Sequence, residues 1–246
     1  GSPFKIIVGL IALEEKIINK NSIISCNGSY IYGKNKKSMK CHCGGGNHNI
    51  YSAISNSCNS FFAEVYRKTI NKNGNISENY DKWSKTVKSF GLGKFLNNDF
   101  PIGKKGMIPD SDFYDKWYPD FKWGALTTLS NSIGQGEILV TPIQLANMMS
   151  AVANKGYYYT PHIIKEIAGD SIDYRFRNKN IINISEQNFE NIEIGLSRVF
   201  KSGTGKLLNI PGIEICGKSG TAENFTKIKG KKTQLTDHSI FVAYAP

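Results

Sequence analysis

From Ile6 to Leu13 every position is apolar or glycine, and the run stops at Glu14-Glu15. Apolar on all sides for nearly ten residues, it predicts a buried helix, opened by Gly1-Ser2-Pro3-Phe4-Lys5 with Ser2 as N-cap and Pro3 at the first helical position. A second helix with an apolar stripe is predicted at Phe61-Phe62-Ala63-Glu64-Val65-Tyr66, directly after Ser57-Cys58-Asn59-Ser60. A third follows the Gly-rich Ser132-Ile133-Gly134-Gln135-Gly136 segment. It has Thr141 as cap, Pro142 at N1, apolar residues to Val152 and Gly156 as C′. Near the end, Ile210 to Cys216 shows a turn and then the alternation of a chain entering a strand, which carries Gly217-Lys218-Ser219-Gly220-Thr221-Ala222.

Three places along this pattern hold reactive groups. Ser2 and Lys5, three apart, share one face of the first helical turn, and an amine desolvated by the apolar helix has a lowered pKa and can take a serine proton. Gly-Ser at a terminus is equally what a cloning scar leaves. Ser57 and Asn59 straddle Cys58, so a hydroxyl and an amide point one way and the thiol another. Lys218-Ser219-Gly220 combines positive charge, a hydroxyl and a residue that admits close backbone approach. By itself it is also a common surface turn.

In order, Ser-x-x-Lys, Ser-x-Asn and Lys-Ser-Gly resemble the penicilloyl-serine transferases, the penicillin-binding proteins and serine β-lactamases. Gly134-Gln135-Gly136 with Thr141-Pro142, Gln144, Ala146, Ala153-Asn154 and Gly156 is similar to class B penicillin-binding proteins. Gly91-Leu92-Gly93, Gly106 to Pro109 and Ser202-Gly203-Thr204-Gly205 fall where that class has similar turns. Lys-Ser-Gly, the cysteine in the middle motif and the Cys/His-rich segment before it look more like the elongation (rod-shape) branch than the division branch. The resemblance implies an α/β (α+β) fold of the penicillin-binding/β-lactamase-like type, a helical subdomain with an antiparallel sheet. Residues 1–246 would be a partial transpeptidase domain, cut at both ends. Ser239 to Pro246 would pair with the Lys218 strand, and the membrane anchor and pedestal domain of the class would lie outside this chain. An incomplete sheet leaves open edges, which puts independent folding in question.

The resemblance further implies a peptidoglycan D,D-transpeptidase acting at the periplasmic face of the bacterial inner membrane. Lys5 would deprotonate Ser2, which attacks the penultimate D-alanine carbonyl of a stem peptide. Backbone N–H groups of Ser2 and Thr221 would hold the oxyanion. Ser57 would relay a proton to the leaving D-alanine under the influence of Lys218. Asn59 would bind the substrate amide, and Ser219 and Thr221, with Gly220 between them, the terminal carboxylate. β-Lactams would acylate Ser2, and a membrane glycosyltransferase and elongation-complex proteins are the implied partners. A β-lactamase, a D,D-carboxypeptidase, a non-catalytic penicillin sensor and, if Ser2 is a scar, a pseudo-enzyme are the rival readings. Among the acidic residues, Glu14, Glu15 and Glu137 are the candidates for a deacylating carboxylate.

Composition changes this picture little. A chain of 246 residues, 40% hydrophobic and 11% aromatic, supports one domain with an ample core. The net charge of +11 comes with lysine, asparagine and isoleucine enriched throughout. Its Lys-rich stretches, Lys34 to Lys40 and Lys227 to Lys232, read as loops without interleaved aromatics, so no nucleic-acid partner is expected. No apolar run is long enough to span a membrane, and no signal peptide is expected among these residues. Of the cysteines, Cys26, Cys41, Cys43 and Cys58 cluster in sequence beside His42 and His48, while Cys216 stands apart as a core thiol. A disulfide, free buried thiols and a structural zinc held by Cys26, Cys41, His48 and Cys58, with Cys43 spare, all remain open. Some elongation-type members hold zinc behind this motif, and Cys58 must point away from the cleft if Ser57 and Asn59 point in.

Overall fold

A computed structural model of the chain, describing residues 1–99, 103–169, 171–228 and 230–245, puts helix α1 (Lys5–Glu14) in the middle of the core. Every residue of α1 from Lys5 to Leu13 is buried, as the unbroken apolar run requires. A 3-10 turn at Ser2–Phe4 precedes it, with Gly1 rather than Ser2 in the N-cap position and no side-chain cap. The Ser2 hydroxyl is therefore not used as a cap.

Four short strands form two hairpin-like pairs over the next stretch. β1 (Ile24–Cys26) pairs antiparallel with β4 (Gly46–His48), and β2 (Ser29–Tyr32) with β3 (Lys37–Lys40). The Lys34 to Lys40 stretch is thus partly strand, not loop. The helical layer follows: α2 (Ile50–Ser55), α3 (Asn59–Ile70), α4 (Ile76–Ser89) and α5 (Ser111–Trp117). Phe61, Phe62, Val65 and Tyr66 of α3 are fully buried, and Tyr66, Trp83 and Phe4 meet edge to face, joining α3, α4 and the turn before α1.

A 3-10 turn at Leu129–Ile133 leads to α6 (Pro142–Ala153), whose start is a full capping box between Thr141 and Gln144. It ends through Asn154, with Lys155 left-handed ahead of Gly156. β5 (Tyr157–Tyr159) pairs with β6 (Lys179–Ile181) across the short α7 (Tyr174–Arg177), and α8 (Glu186–Lys201) packs along α2. The chain then enters β7 (Cys216–Ala222), which pairs antiparallel with β10 (His238–Tyr244), Lys218 opposite Val242 and Gly220 opposite Ile240. Between them, β8 (Phe225–Ile228) and β9 (Lys231–Gln234) form a hairpin where the sequence suggested a polar loop. Residue 229 of that Lys-rich stretch lies outside the described residues. Helices packed against antiparallel strands make this an α+β fold, as expected.

Candidate active site

The Ser2 turn is gripped on two sides. A Cβ added at Gly220 of β7 would stand 2.5 Å from Pro3 Cδ, 2.9 Å from the Ser2 nitrogen and 3.2 Å from Ser2 Cβ. Only a residue without a side chain lets the strand lie this close. On the other side the Leu129–Ile133 turn presses Gly134 against Gly1 and Phe4. Lys218, immediately before Ser219, is fully buried, and its Nζ donates to the Ser219 carbonyl at 2.8 Å.

One turn beyond Ser2, Lys5 is also fully buried. Its Nζ donates to the Ser57 carbonyl at 2.8 Å, to Ser57 Oγ at 3.1 Å and to Asn59 Oδ1 at 2.6 Å. These contacts occupy all the donors of an ammonium. To act on Ser2 as a base, the amine must release a proton and turn its lone pair from this set. Burial, and then the positive charge of Lys218, lower the Lys5 pKa to about 7, and burial alone lowers that of Lys218 to about 8. Two buried lysines at one centre are thus set to lose their charge near neutral pH.

Ser57 and Asn59 are placed by the backbone between α2 and α3. Ser57 is left-handed (φ 55°), a conformation non-glycine residues rarely take. Cys58 then caps α3, its sulfur accepting from the Phe61 N–H at 3.4 Å. Asn59 Nδ2 donates to the Lys40 carbonyl at 2.7 Å, and its backbone N–H points at Cys41 Sγ, 3.1 Å away. As expected, the hydroxyl and amide face Lys5 while Cys58 is buried on the opposite side.

Behind this loop the thiols of Cys26, Cys41, Cys43 and Cys58 lie within 4.8 Å of one another. Neighbouring sulfurs are separated by 3.3 Å (Cys41–Cys43), 3.6 Å (Cys43–Cys26) and 3.7 Å (Cys41–Cys58). All of the cysteines are free, so no disulfide is formed, and Cys216 is a buried thiol on β7. The structure corrects the sequence expectation in one respect: Cys43 joins the cluster and His48 does not. The His48 Nε2 lies 3.4 Å from Cys43 Sγ and 3.1 Å from the Gly45 carbonyl, outside the four sulfurs.

Ser219 and Thr221 share one face of β7 by strand alternation. A contact that motif reading did not assign meets them there: Thr204 Oγ1 is 3.1 Å from Ser219 Oγ. Its signal in the sequence was the Ser202–Gly205 turn. Of the candidate deacylating carboxylates, Glu15 is tied up with Lys72 and Lys82, Glu14 accepts from Ser185 and Asn188, and Glu137 accepts from Tyr114.

A serine held against a strand, beside two buried lysines and a Ser/Asn pair, is an arrangement for nucleophilic acyl chemistry. Comparison with known proteins agrees. "Peptidoglycan D,D-transpeptidase MrdA" of Acinetobacter baumannii is 29% identical over 80% of this chain and 30% of its own length. Stage V sporulation protein D of Bacillus subtilis is 28% identical over 100% of this chain and 36% of its own. The crystal structure of Pseudomonas aeruginosa PBP2 in complex with WCK 5153 matches with a TM-score of 0.81 and 26% identity, covering 100% of this chain and 52% of that one. A complex between PBP2 and MreC from Helicobacter pylori matches with a TM-score of 0.73 and 25% identity over 91% of this chain and 40% of that one. The chain therefore spans roughly a third of these curated relatives and about half or less of the solved chains. Among the described residues no helix is long and apolar enough to cross a membrane. The family model for the penicillin binding protein transpeptidase domain matches residues 1–246, and the chain belongs to that family.

Proposed function

We propose that this chain is the acyl-transfer domain of a peptidoglycan D,D-transpeptidase of the elongation branch, working at the periplasmic face of the inner membrane. The observation that carries the reading is the convergence of Lys5 on Ser57 and Asn59, one turn from Ser2, with Lys218 buried at the same centre. Neutral Lys5 takes the Ser2 proton, and Ser2 Oγ bonds to the carbonyl carbon of the penultimate D-alanine of a stem peptide. Backbone N–H groups of Ser2 and Thr221 hold the oxyanion. As the tetrahedral species collapses, the C–N bond breaks and the departing D-alanine nitrogen takes a proton relayed through Ser57. Asn59 holds the substrate amide, and Ser219 and Thr221 hold the terminal carboxylate. The amine of a second stem then attacks the ester carbonyl, forms the cross-link and returns Ser2 to its hydroxyl. β-Lactams enter the same first step and stay on Ser2. In the cell, a membrane glycosyltransferase and elongation-complex proteins are the proposed partners.

The thiol cluster fits a structural zinc ion held by Cys26, Cys41, Cys43 and Cys58. A tetrahedral zinc–thiolate site, with Zn–S of about 2.3 Å, separates its sulfurs by about 3.8 Å; here neighbouring sulfurs lie 3.3, 3.6 and 3.7 Å apart and all four within 4.8 Å of one another. Bound there, zinc would supply cross-linking of the loop behind Ser57 and Asn59, and takes no part in the acyl chemistry.

The test is covalent labelling with a fluorescent penicillin, intact mass and peptide mapping, on the protein and on Ser2→Ala. A stable adduct on the Ser2 peptide, absent from the variant, supports the reading. Rapid turnover of a chromogenic cephalosporin would point to a β-lactamase, and a folded protein that takes no label would overturn acyl transfer.

A further inference from the structure

The turn after α8 is built more rigidly than an exposed loop requires. Its Gly203 and Gly205 N–H groups donate back to the Arg198 and Val199 carbonyls at 2.9 Å each. Between them the Thr204 N–H donates to the Ser55 carbonyl at 3.0 Å, at the end of α2 and two residues before Ser57. Gly203 is obligatory for this approach, because a Cβ there would stand 2.3 Å from the Ser55 carbonyl oxygen. The result is an exposed threonine whose backbone is fixed to the Ser57 side of the cleft and whose hydroxyl meets Ser219 on β7. One residue therefore touches both elements that line the site.

We infer that Thr204 is a positioning residue that aims the Ser219 hydroxyl at the terminal carboxylate of the acyl donor. This rests on the acyl-transfer reading above. A carboxylate only accepts hydrogen bonds, and each hydroxyl has one proton to give. With a carboxylate bound, Ser219 must donate to it, which leaves the Ser219 oxygen free to accept from Thr204. The chain then runs one way, Thr204 O–H to Ser219 O–H to carboxylate, and each link polarises the next. Without Thr204 the Ser219 hydroxyl loses the acceptor role that fixes its rotor. A ligand whose carboxylate is masked as an ester gains little from this chain, because the charge that strengthens it is gone.

The experiment compares second-order acylation rates, by intact mass, for a penicillin and for its methyl ester, on the protein, Thr204→Val and Thr204→Ser. Thr204→Val keeps the shape of the side chain and removes the donor. It should slow acylation by the acid about three- to tenfold and leave the ester unchanged, while Thr204→Ser restores the acid rate. The acid-to-ester ratio is read within each protein, so a partly unfolded sample does not disturb it. An unchanged ratio in Thr204→Val, whether both ligands slow together or neither does, overturns the role of Thr204 while leaving acyl transfer standing. A folded parent protein that takes neither ligand overturns both.

Discussion

Replacing Gly220 with alanine is the sharpest perturbation the site offers. The new methyl would lie 2.5 Å from Pro3 Cδ, about 1 Å inside the separation at which two carbons rest. It would also lie 2.9 Å from the Ser2 nitrogen. Neither neighbour is a flexible side chain: one atom is in a proline ring and the other in the backbone, so no rotamer change relieves the clash. Sliding β7 along its partner would break the antiparallel register it keeps with β10 from Cys216 to Ala222. Three positions upstream, at Gly217, a Cβ would stand 2.6 Å from the Val242 carbonyl oxygen, so the strand pair is closely packed there too. The remaining relief is to push the Ser2 turn and β7 apart by up to about 1 Å.

Overpacking of this kind costs roughly 1–3 kcal/mol of stability. If Ser2 is the nucleophile and β7 presents its substrate, as proposed, a displacement of about 1 Å between them costs on the order of 10²-fold in rate. The two costs separate cleanly. We expect Gly220→Ala to fold with a modestly lowered melting temperature and to acylate about a hundredfold more slowly than the parent. The assay is stopped-flow or quenched labelling with a fluorescent penicillin beside thermal melting. A Gly220→Ala protein that acylates at the parent rate would refute the argument that β7 sets the position of Ser2.

Other outcomes follow from the same geometry. On the proposed mechanism Lys5 is the base only when neutral, and with its pKa lowered to about 7 acylation should rise with pH through that value. Lys218→Met removes a like charge that lowers the Lys5 pKa, so its profile should shift to higher pH, and an unmoved or acid-shifted midpoint would break the coupling. Metal analysis of the purified protein should give about one zinc per chain. Cys43→Ser should lower that content and the melting temperature together while His48→Ala keeps the metal, and the opposite result would place the imidazole in the coordination. Trp83→Ala, which empties the aromatic junction with Phe4 and Tyr66, should cost about 3–5 kcal/mol by denaturant titration.

The parts of the site that the sequence made legible are those set by local rules. The apolar run that buries Lys5, the capped start of α6 and the strand bearing Lys218 are each written within a dozen residues or fewer. The membership of the thiol cluster is not legible from spacing, because strand-pairing register chooses between His48 and the cysteines. In the β1–β4 pair His48 stands opposite Ile24, while Cys26 stands opposite Gly46, so the imidazole is a diagonal step from the Cys26 thiol. Cys41 and Cys43, by contrast, flank His42 in the bend that follows β3, which brings their sulfurs to 3.3 Å. The β8–β9 hairpin is hard to read from sequence for a related reason: its strands carry no apolar alternation, and Gly230, at φ 78°, is a weak turn signal by itself.

The Ser57-x-Asn59 spacing acquires its meaning only through the residue between its members. A serine at φ 55° stores roughly 1–2 kcal/mol of backbone strain, which local sequence cannot hold. Here it is held from behind. Cys58 is fully buried, caps α3 and lies 3.7 Å from Cys41, whose sulfur in turn receives the Asn59 N–H. The thiol cluster therefore fixes both ends of the strained step, and Lys5 reads that step through all of its hydrogen bonds. If Cys58 were replaced by alanine, the cap and the anchor would go together and Ser57 would relax toward an ordinary backbone conformation. Lys5 would then lose its acceptors without any change to Ser2, Lys5, Ser57 or Asn59 themselves. A buried thiol away from the chemistry is in this way as necessary to the geometry of the site as the groups that face the cleft.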